Sequence, residues 1–167
     1  MMRVFRVFIG LAIAFFVVAI VWPLPSYAAS SAAIRAYDDI KADTKDFAGK
    51  SLIQAEFNNT DLEGADFSHA DLRGAVFNGS VLKNANFHAA DFSDGIAYIS
   101  DFSGADLSDA ILTSAMLLQT RFRDATITGA DFSFALLDRQ EMIQLCERAS
   151  GTNPTTGIST RDSLECR

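Results

Sequence analysis

Ala65-Asp66-Phe67-Ser68-His69 and Ala70-Asp71-Leu72-Arg73-Gly74 stand side by side in the chain, and Ala105-Asp106-Leu107-Ser108-Asp109 repeats them further on. Every fifth residue from Phe47 to Leu137 is Phe or Leu, with Ala97 and Ile127 the departures, and no insertion breaks the register over nineteen consecutive units. Two residues before each centre runs a second column that contains only Ala, Gly, Ser or Thr from Ala55 onward. A period of five matches neither the 3.6-residue helix nor the two-residue strand. Self-similarity at a short fixed period marks a solenoid, whose units bury their apolar side chains only by stacking on one another.

These runs resemble the pentapeptide-repeat family, whose pattern is Ala-Asp/Asn-Leu/Phe-x-x. The resemblance covers more than half the chain. It implies an all-β fold, a right-handed quadrilateral parallel β-helix with one pentapeptide per side and twenty residues per coil, and the flanking sequence adds short α-helical caps at both ends. At a strand spacing of roughly 4.8 Å the solenoid is then on the order of 23 Å long. Residues twenty apart stack, so Phe47, Phe67, Phe87, Leu107 and Ile127 are expected to form one interior ladder. A second is Leu52, Leu72, Phe92, Leu112 and Phe132, and a third is Phe57, Phe77, Ala97, Leu117 and Leu137. Leu62, Leu82, Phe102 and Phe122 form the fourth. Ala97 breaks its ladder, and Ile96 or Ile99 is expected to turn inward to fill the space, since interiors rarely tolerate large voids.

Outside the repeat, residues 1–28 read as a secretory signal peptide. Arg3 and Arg6 precede an apolar run from Val7 to Trp22, and Ser26-Tyr27-Ala28 offers small residues at the cleavage positions. An uncleaved anchor is the rival reading, which Pro23 and Pro25 disfavour. Membrane contact is thus expected only through this segment, before cleavage. The formal net charge is −7, and removal of Arg3 and Arg6 takes it to about −9. A chain this acidic lacks the clustered Lys and Arg that phosphate contacts need, which disfavours nucleic acid as a partner bound through a basic surface.

Residues 29–45 are expected to carry an N-terminal capping helix, with Ser30 or Ser31 as N-cap and Ala33, Ile34, Tyr37 and Ile40 on one face. Residues 46–138 are the β-helix and residues 139–167 a C-terminal helical cap. There Asp138 is the expected N-cap, Glu141 completes a capping-box pattern, and Leu137 is placed to staple against Met142. The helix runs from Arg139 to about Ala149. After a turn-rich link, Thr160 is the expected cap of a last helical turn reaching Cys166. Cys146 and Cys166 are the only cysteines. In an exported protein they suggest one disulfide, worth roughly 3 kcal/mol in the chain-entropy model. A reactive pair is the alternative, although no Cys-x-x-Cys motif is present. The tail from Leu145 to Cys166 resembles the C-terminal cap of lumenal pentapeptide-repeat proteins from cyanobacteria and chloroplasts, which implies the thylakoid lumen or the periplasm.

In the geometry the resemblance implies, the residue before each centre points outward. On one face this column runs Glu56, Val76, Ile96, Met116 and Leu136, joined by Tyr98, Ile99 and Leu118. Either the C-terminal tail folds over these apolar residues or they form a docking patch for a protein partner. Asp46, Asp66, Asn86 and Asp106 form an acidic outward column, with Asp71 and Asp91 beginning another. Stacked carboxylates suit a hard cation such as calcium, but no bidentate Glu converges on them, and the expectation is a solvated face with no metal. His69 and His88 stand apart in the repeat pattern and make no metal site or catalytic dyad. No nucleophile elbow, phosphate-binding glycine loop or zinc spacing appears.

The expected function is therefore non-enzymatic and without cofactors: a monomeric, exported, rigid interaction module. Some members of the family inhibit a type II topoisomerase by imitating duplex DNA, and the acidic charge suits that alternative if the chain stays cytoplasmic. Capping helices at both ends disfavour it, because those members dimerise end to end. A redox- or metal-responsive lumenal protein is the third class.

Overall fold

The protein was analysed as a computed structural model, which describes residues 45–167. The segment read as a signal peptide, 1–28, and all but the last residue of the segment expected to carry an N-terminal capping helix, 29–45, lie outside the described residues. From Asp46 onward the backbone forms parallel bridges between residues twenty apart. Asp46 pairs with Asp66, Ser51 with Asp71, Glu56 with Val76 and Asp61 with Val81, and each series continues coil by coil. Four interleaved series at a twenty-residue offset define a four-sided parallel β-helix. Each side is only one or two residues wide, so only the last pairing, between β1 (Met116–Leu117) and β2 (Leu136–Leu137), extends to a two-residue strand.

The interior follows the expected ladders. Phe and Leu centres from Phe47 to Phe132 are buried, as are the alanines of the small column. Phe47 and Phe67 stack at 4.7 Å and Phe57 and Phe77 at 4.8 Å, one coil rise apart, while Phe47 meets Phe57 edge-on at 5.6 Å. Offset and edge-on contacts of this kind add to the area term that dominates the stability.

Four of the five backbone N–H groups in a unit find backbone acceptors. Around Phe67, Asp66 N–H donates back to Lys45, Phe67 and His69 donate forward to Asn86 and His88, and Ala70 closes the turn onto Phe67. In the nine units with Asp or Asn before the centre, the fifth, on the residue after the centre, is taken by that side chain. Asp66 Oδ1 accepts from Ser68 N–H at 2.9 Å, Asn86 Oδ1 from His88 N–H at 3.0 Å and Asp106 Oδ1 from Ser108 N–H at 2.9 Å. The acidic consensus is thus a turn-closing device.

Every turn places the second residue after the centre in the left-handed region, from Gly49 to Phe134 in unbroken steps of five. Glycine fills only some of these positions; Gln54, His69, Ile99 and Phe134 fill others. The ladder bonds from the neighbouring coil over-determine a conformation that L residues otherwise avoid.

One corner of the coil is polar inside. Ser80, Ser100 and Thr120 are buried, and their hydroxyls donate to the carbonyls of Phe57, Phe77 and Ala97 in the coil before. Ser80 Oγ also accepts from Thr60 N–H at 3.2 Å, and Thr120 Oγ1 from Ser100 N–H at 3.4 Å. Each hydroxyl is thereby satisfied within the core.

The gap at Ala97 is not filled as expected. Ile96 stays half-buried and Ile99 is 53% exposed. Instead the ring of Phe92 lies across Gly95, so close that a Cβ there would stand 2.2 Å from Phe92 Cε2, and it reaches within 5.6 Å of the Phe77 ring. Ala97 and Gly95 act together: one vacates volume and the other lets a neighbouring ring take it.

The solenoid ends in α1 (Arg139–Arg148), a link, and α2 (Thr160–Ser163). Asp138 and Glu141 do not form the expected capping box. Asp138 Oδ2 accepts from Gln119 N–H at 2.6 Å and Glu141 Oε2 from Phe122 N–H at 3.2 Å. In the ladder, residue n donates to the carbonyl of n+19, so these two side chains stand where the next coil's carbonyls would be. They close the last coil's open edge, which outweighs capping their own helix. The cap of α2 also shifts by one residue, because Ser159 Oγ accepts from Asp162 N–H at 3.1 Å, while Thr160 is buried with its hydroxyl on Ile127 C=O. Leu137 and Met142 both line one shallow groove beside α1.

Candidate functional site

Val76, Ile96, Met116 and Leu136 are consecutive bridge partners, so the repeat stacks four apolar residues outward on one side. Ile99 and Leu136 are each 53% exposed and Tyr98 and Met116 39%, while Val76, Ile96 and Leu118 are half-buried. Ile99 is the notable member: a β-branched residue at φ 56° on an exposed turn.

The tail lies elsewhere. Gly151, at φ +81°, lets it approach so closely that a Cβ would stand 2.8 Å from Gly129 N. Two residues on, Asn153 is 1% exposed. Its Nδ2 donates to the carbonyls of Asp109 at 3.0 Å, Gly129 at 2.9 Å and Ala110 at 3.3 Å, while Oδ1 accepts from Thr155 and Thr156 N–H. Ser163 Oγ then takes Phe132 N–H at 3.0 Å, and Leu145, Ala149 and Leu164 join the core. These contacts fall on the end of the solenoid and on the side of Asp109 and Gly129. Among the described residues the tail therefore leaves the apolar stripe open.

Cys146 and Cys166 form a disulfide with sulfurs 2.07 Å and Cα atoms 5.5 Å apart, joining α1 to the end of the chain. Both line the shallow groove with Arg139, Arg161 and Glu147.

The carboxylates of the acidic columns are engaged in closing the turns. The Ser68 N–H, then its hydroxyl, hold the Asp66 carboxyl below the usual carboxylate range, and the Arg73 side chain does the same for Asp71. Oxygens already accepting turn N–H groups are poorly placed to wrap a calcium ion. Among the described residues no group of three or more His, Cys, Asp and Glu converges in a metal-holding arrangement, and no helix is long and apolar enough to cross a membrane.

The two histidines, separate in the repeat pattern, come together in the fold. His69 N–H donates to His88 C=O at 2.9 Å, and their rings lie 5.3 Å apart at 86°. His88 Nδ1 lies 2.9 Å from Ser108 Oγ, which donates to Asp106 Oδ1 at 2.6 Å. The ladder's offset of nineteen, which is no multiple of five, is the signal that brings this pair into contact.

Comparison with known proteins agrees with this geometry. The model of the pentapeptide-repeat family matches residues 46–74, 60–95 and 100–139, with eight copies. A thylakoid lumenal protein of Arabidopsis thaliana, TL20.3, is 55% identical over 42 residues, which is 25% of this chain and 15% of that protein. The thylakoid lumenal 15 kDa protein 1 of the same plant is 47% identical over 47 residues, 28% of this chain and 21% of its own length. The chain thus matches only a minor part of both relatives. Among solved structures, a pentapeptide-repeat protein from the Arabidopsis thaliana thylakoid lumen is 33% identical, covering 73% of this chain and 88% of that one, with a TM-score of 0.35. Repeat, twenty-residue coil and matched segments together place the chain in the pentapeptide-repeat family, whose members are right-handed β-helices.

Proposed function

We propose that the protein is a non-enzymatic, exported interaction module of the thylakoid lumen or periplasm, whose apolar stripe docks a partner protein. One observation carries this reading: four stacked outward apolar residues, flanked by Tyr98 and a left-handed Ile99, lie uncovered by the described tail. A contiguous exposed apolar patch rimmed by polar residues is the usual surface of a protein contact. The lumenal relatives and the signal-like N-terminus support export.

The acidic sides next to the stripe select the partner's chemistry, an apolar patch rimmed by Lys and Arg. The test is affinity capture from a lumenal extract with mature wild type against an Ile96→Asp, Met116→Asp double variant whose fold is checked by circular dichroism. A partner held by wild type and lost by the folded variant supports the reading. Equal capture by both refutes the stripe as the docking face. If the double variant unfolds, Tyr98→Ser replaces it, at a position exposed enough to tolerate the change.

A further inference from the structure

The chain contains only two histidines, and the fold puts their rings 5.3 Å apart on the acidic face. We infer that His69 and His88 form a surface site for a borderline transition-metal ion of the zinc or copper(II) class, held by two imidazoles with water completing the coordination.

The argument begins with the proton on His88. Asp106 Oδ1 accepts from the Ser108 hydroxyl at 2.6 Å, and a carboxylate has no proton to give in return. The Ser108 hydrogen is therefore committed, so its oxygen accepts from His88 Nδ1 at 2.9 Å. That fixes His88 as the Nδ1–H tautomer and leaves Nε2 with a free lone pair. A histidine whose other nitrogen donates to a carboxylate-linked group is the standard arrangement of a metal ligand.

Separation is the second point. Two imidazoles bound to one tetrahedral ion at about 2.0 to 2.1 Å per nitrogen place their ring centroids about 5 Å apart. The observed 5.3 Å fits this separation. His69 is exposed and its ring accepts no hydrogen bond from a described residue, so it is free to turn toward the shared ion. Its backbone is held by the bond to His88 C=O, which keeps the two side chains adjacent.

Charge and ligand type complete the case. Asp66 lies beside His69 and Asp106 is linked through Ser108 to His88, on a chain of net charge −7, which raises the local concentration of cations. Imidazole nitrogen selects zinc, copper and nickel over calcium and magnesium, which prefer oxygen. The acidic columns attract the cation and the histidines choose it.

The experiment titrates tag-free mature protein with zinc chloride and with copper(II) chloride by calorimetry, alongside one-dimensional NMR. The site predicts one ion per chain and selective broadening of the two histidine ring signals by sub-stoichiometric copper(II). His69→Asn keeps a residue that accepts the left-handed turn, and His88→Gln keeps a polar side chain; each is expected to weaken binding at least tenfold. Ser108→Ala leaves both imidazoles but frees His88, and is expected to weaken it by about tenfold. No heat up to millimolar metal, or unchanged binding in the folded double variant, overturns the assignment.

Discussion

Asn153→Ala tests whether the tail is clipped to the solenoid by one side chain. In each unit the carbonyl of the second residue after the centre takes no part in the ladder and points outward. Asn153 Nδ2 bonds two of these, Asp109 and Gly129, on successive coils, while Oδ1 holds the N–H groups of Thr155 and Thr156. Alanine leaves the Gly129 carbonyl buried without a donor, at about 1 to 3 kcal/mol. The Asp109 carbonyl and the exposed Thr155 and Thr156 amides recover part of their loss through water. The Ala110 carbonyl keeps its bond from Asp131 N–H. The expected sum is about 3 kcal/mol, which lowers the midpoint of thermal unfolding by about 12 °C for a domain of this size. Circular dichroism of the oxidised protein measures it, and hydrogen exchange locates it, since the Thr160 and Gly129 amides that bond Gly151 and Ser150 should exchange faster. A loss below about 1 kcal/mol, with those amides still protected, would refute the clip. Asn153→Asp should be worse near neutral pH, because it turns a carboxylate onto three carbonyls.

Gly95→Ala should destabilise by about 1 to 3 kcal/mol, because the new methyl occupies the space of the Phe92 ring; an unchanged denaturation midpoint would show that Phe92 moves freely. Phe134 is 85% exposed at φ 60°, so Phe134→Asn should stabilise by about 1 kcal/mol, as it relieves left-handed strain and gives up little burial. A lower melting temperature would mean that the ring packs against something. With Asp66 and Asp71 held below the ordinary carboxylate range in the folded state, their contribution is complete above the unfolded value of about 3.9 and is lost as pH falls further. The thermal midpoint should therefore stay level from about pH 7 to 5 and decline below about 4; a decline already complete at pH 5 would contradict this assignment.

How far the sequence could be read depended on whether a residue's role was set by its own volume or by its neighbour in the next coil. Phe47, Phe67 and Phe87 were legible because large apolar side chains at a fixed period have one place to go. Ile99 and Phe134 were not legible as left-handed residues, since the ladder imposes that conformation and no propensity announces it. Gly95 looked like one more small residue until the Phe92 ring was seen lying on it. Asp138 and Glu141 carry a helix-capping spacing, and the same spacing puts them under the N–H groups of Gln119 and Phe122. An open β-edge has the greater need of acceptors, so the edge wins. His69 and His88 were separated by reading in fives, when the bond that joins them runs nineteen residues. The apolar stripe was legible as a column, but its freedom from the tail rested on where Asn153 reaches.

That stripe also departs from the hydrogen bonding of the acidic turns. Where the residue before the centre is Asp or Asn it accepts the N–H of the residue after it, as at Asp66, Asp91 and Asp131, whereas Val81 and Ile111 on other sides offer no such acceptor. Val76, Ile96, Met116 and Leu136 cannot do this. Each substitution forgoes a bond worth about 0.5 to 1.5 kcal/mol net. At Tyr98 the N–H is instead met from the coil before, by Asn78 Oδ1 at 3.3 Å, a longer bond than the 2.9 Å made by Asp66. Four stacked positions thus exchange turn closure for exposed apolar surface, and Ile99 adds a strained turn beside them. Nothing in the packing of the core requires this, because Phe77, Ala97 and Leu117 are buried whatever precedes them. What sets these four apart from the single apolar residues Val81 and Ile111 is that they stack on consecutive coils into one continuous surface, and that continuity is the physical ground for the docking face proposed above.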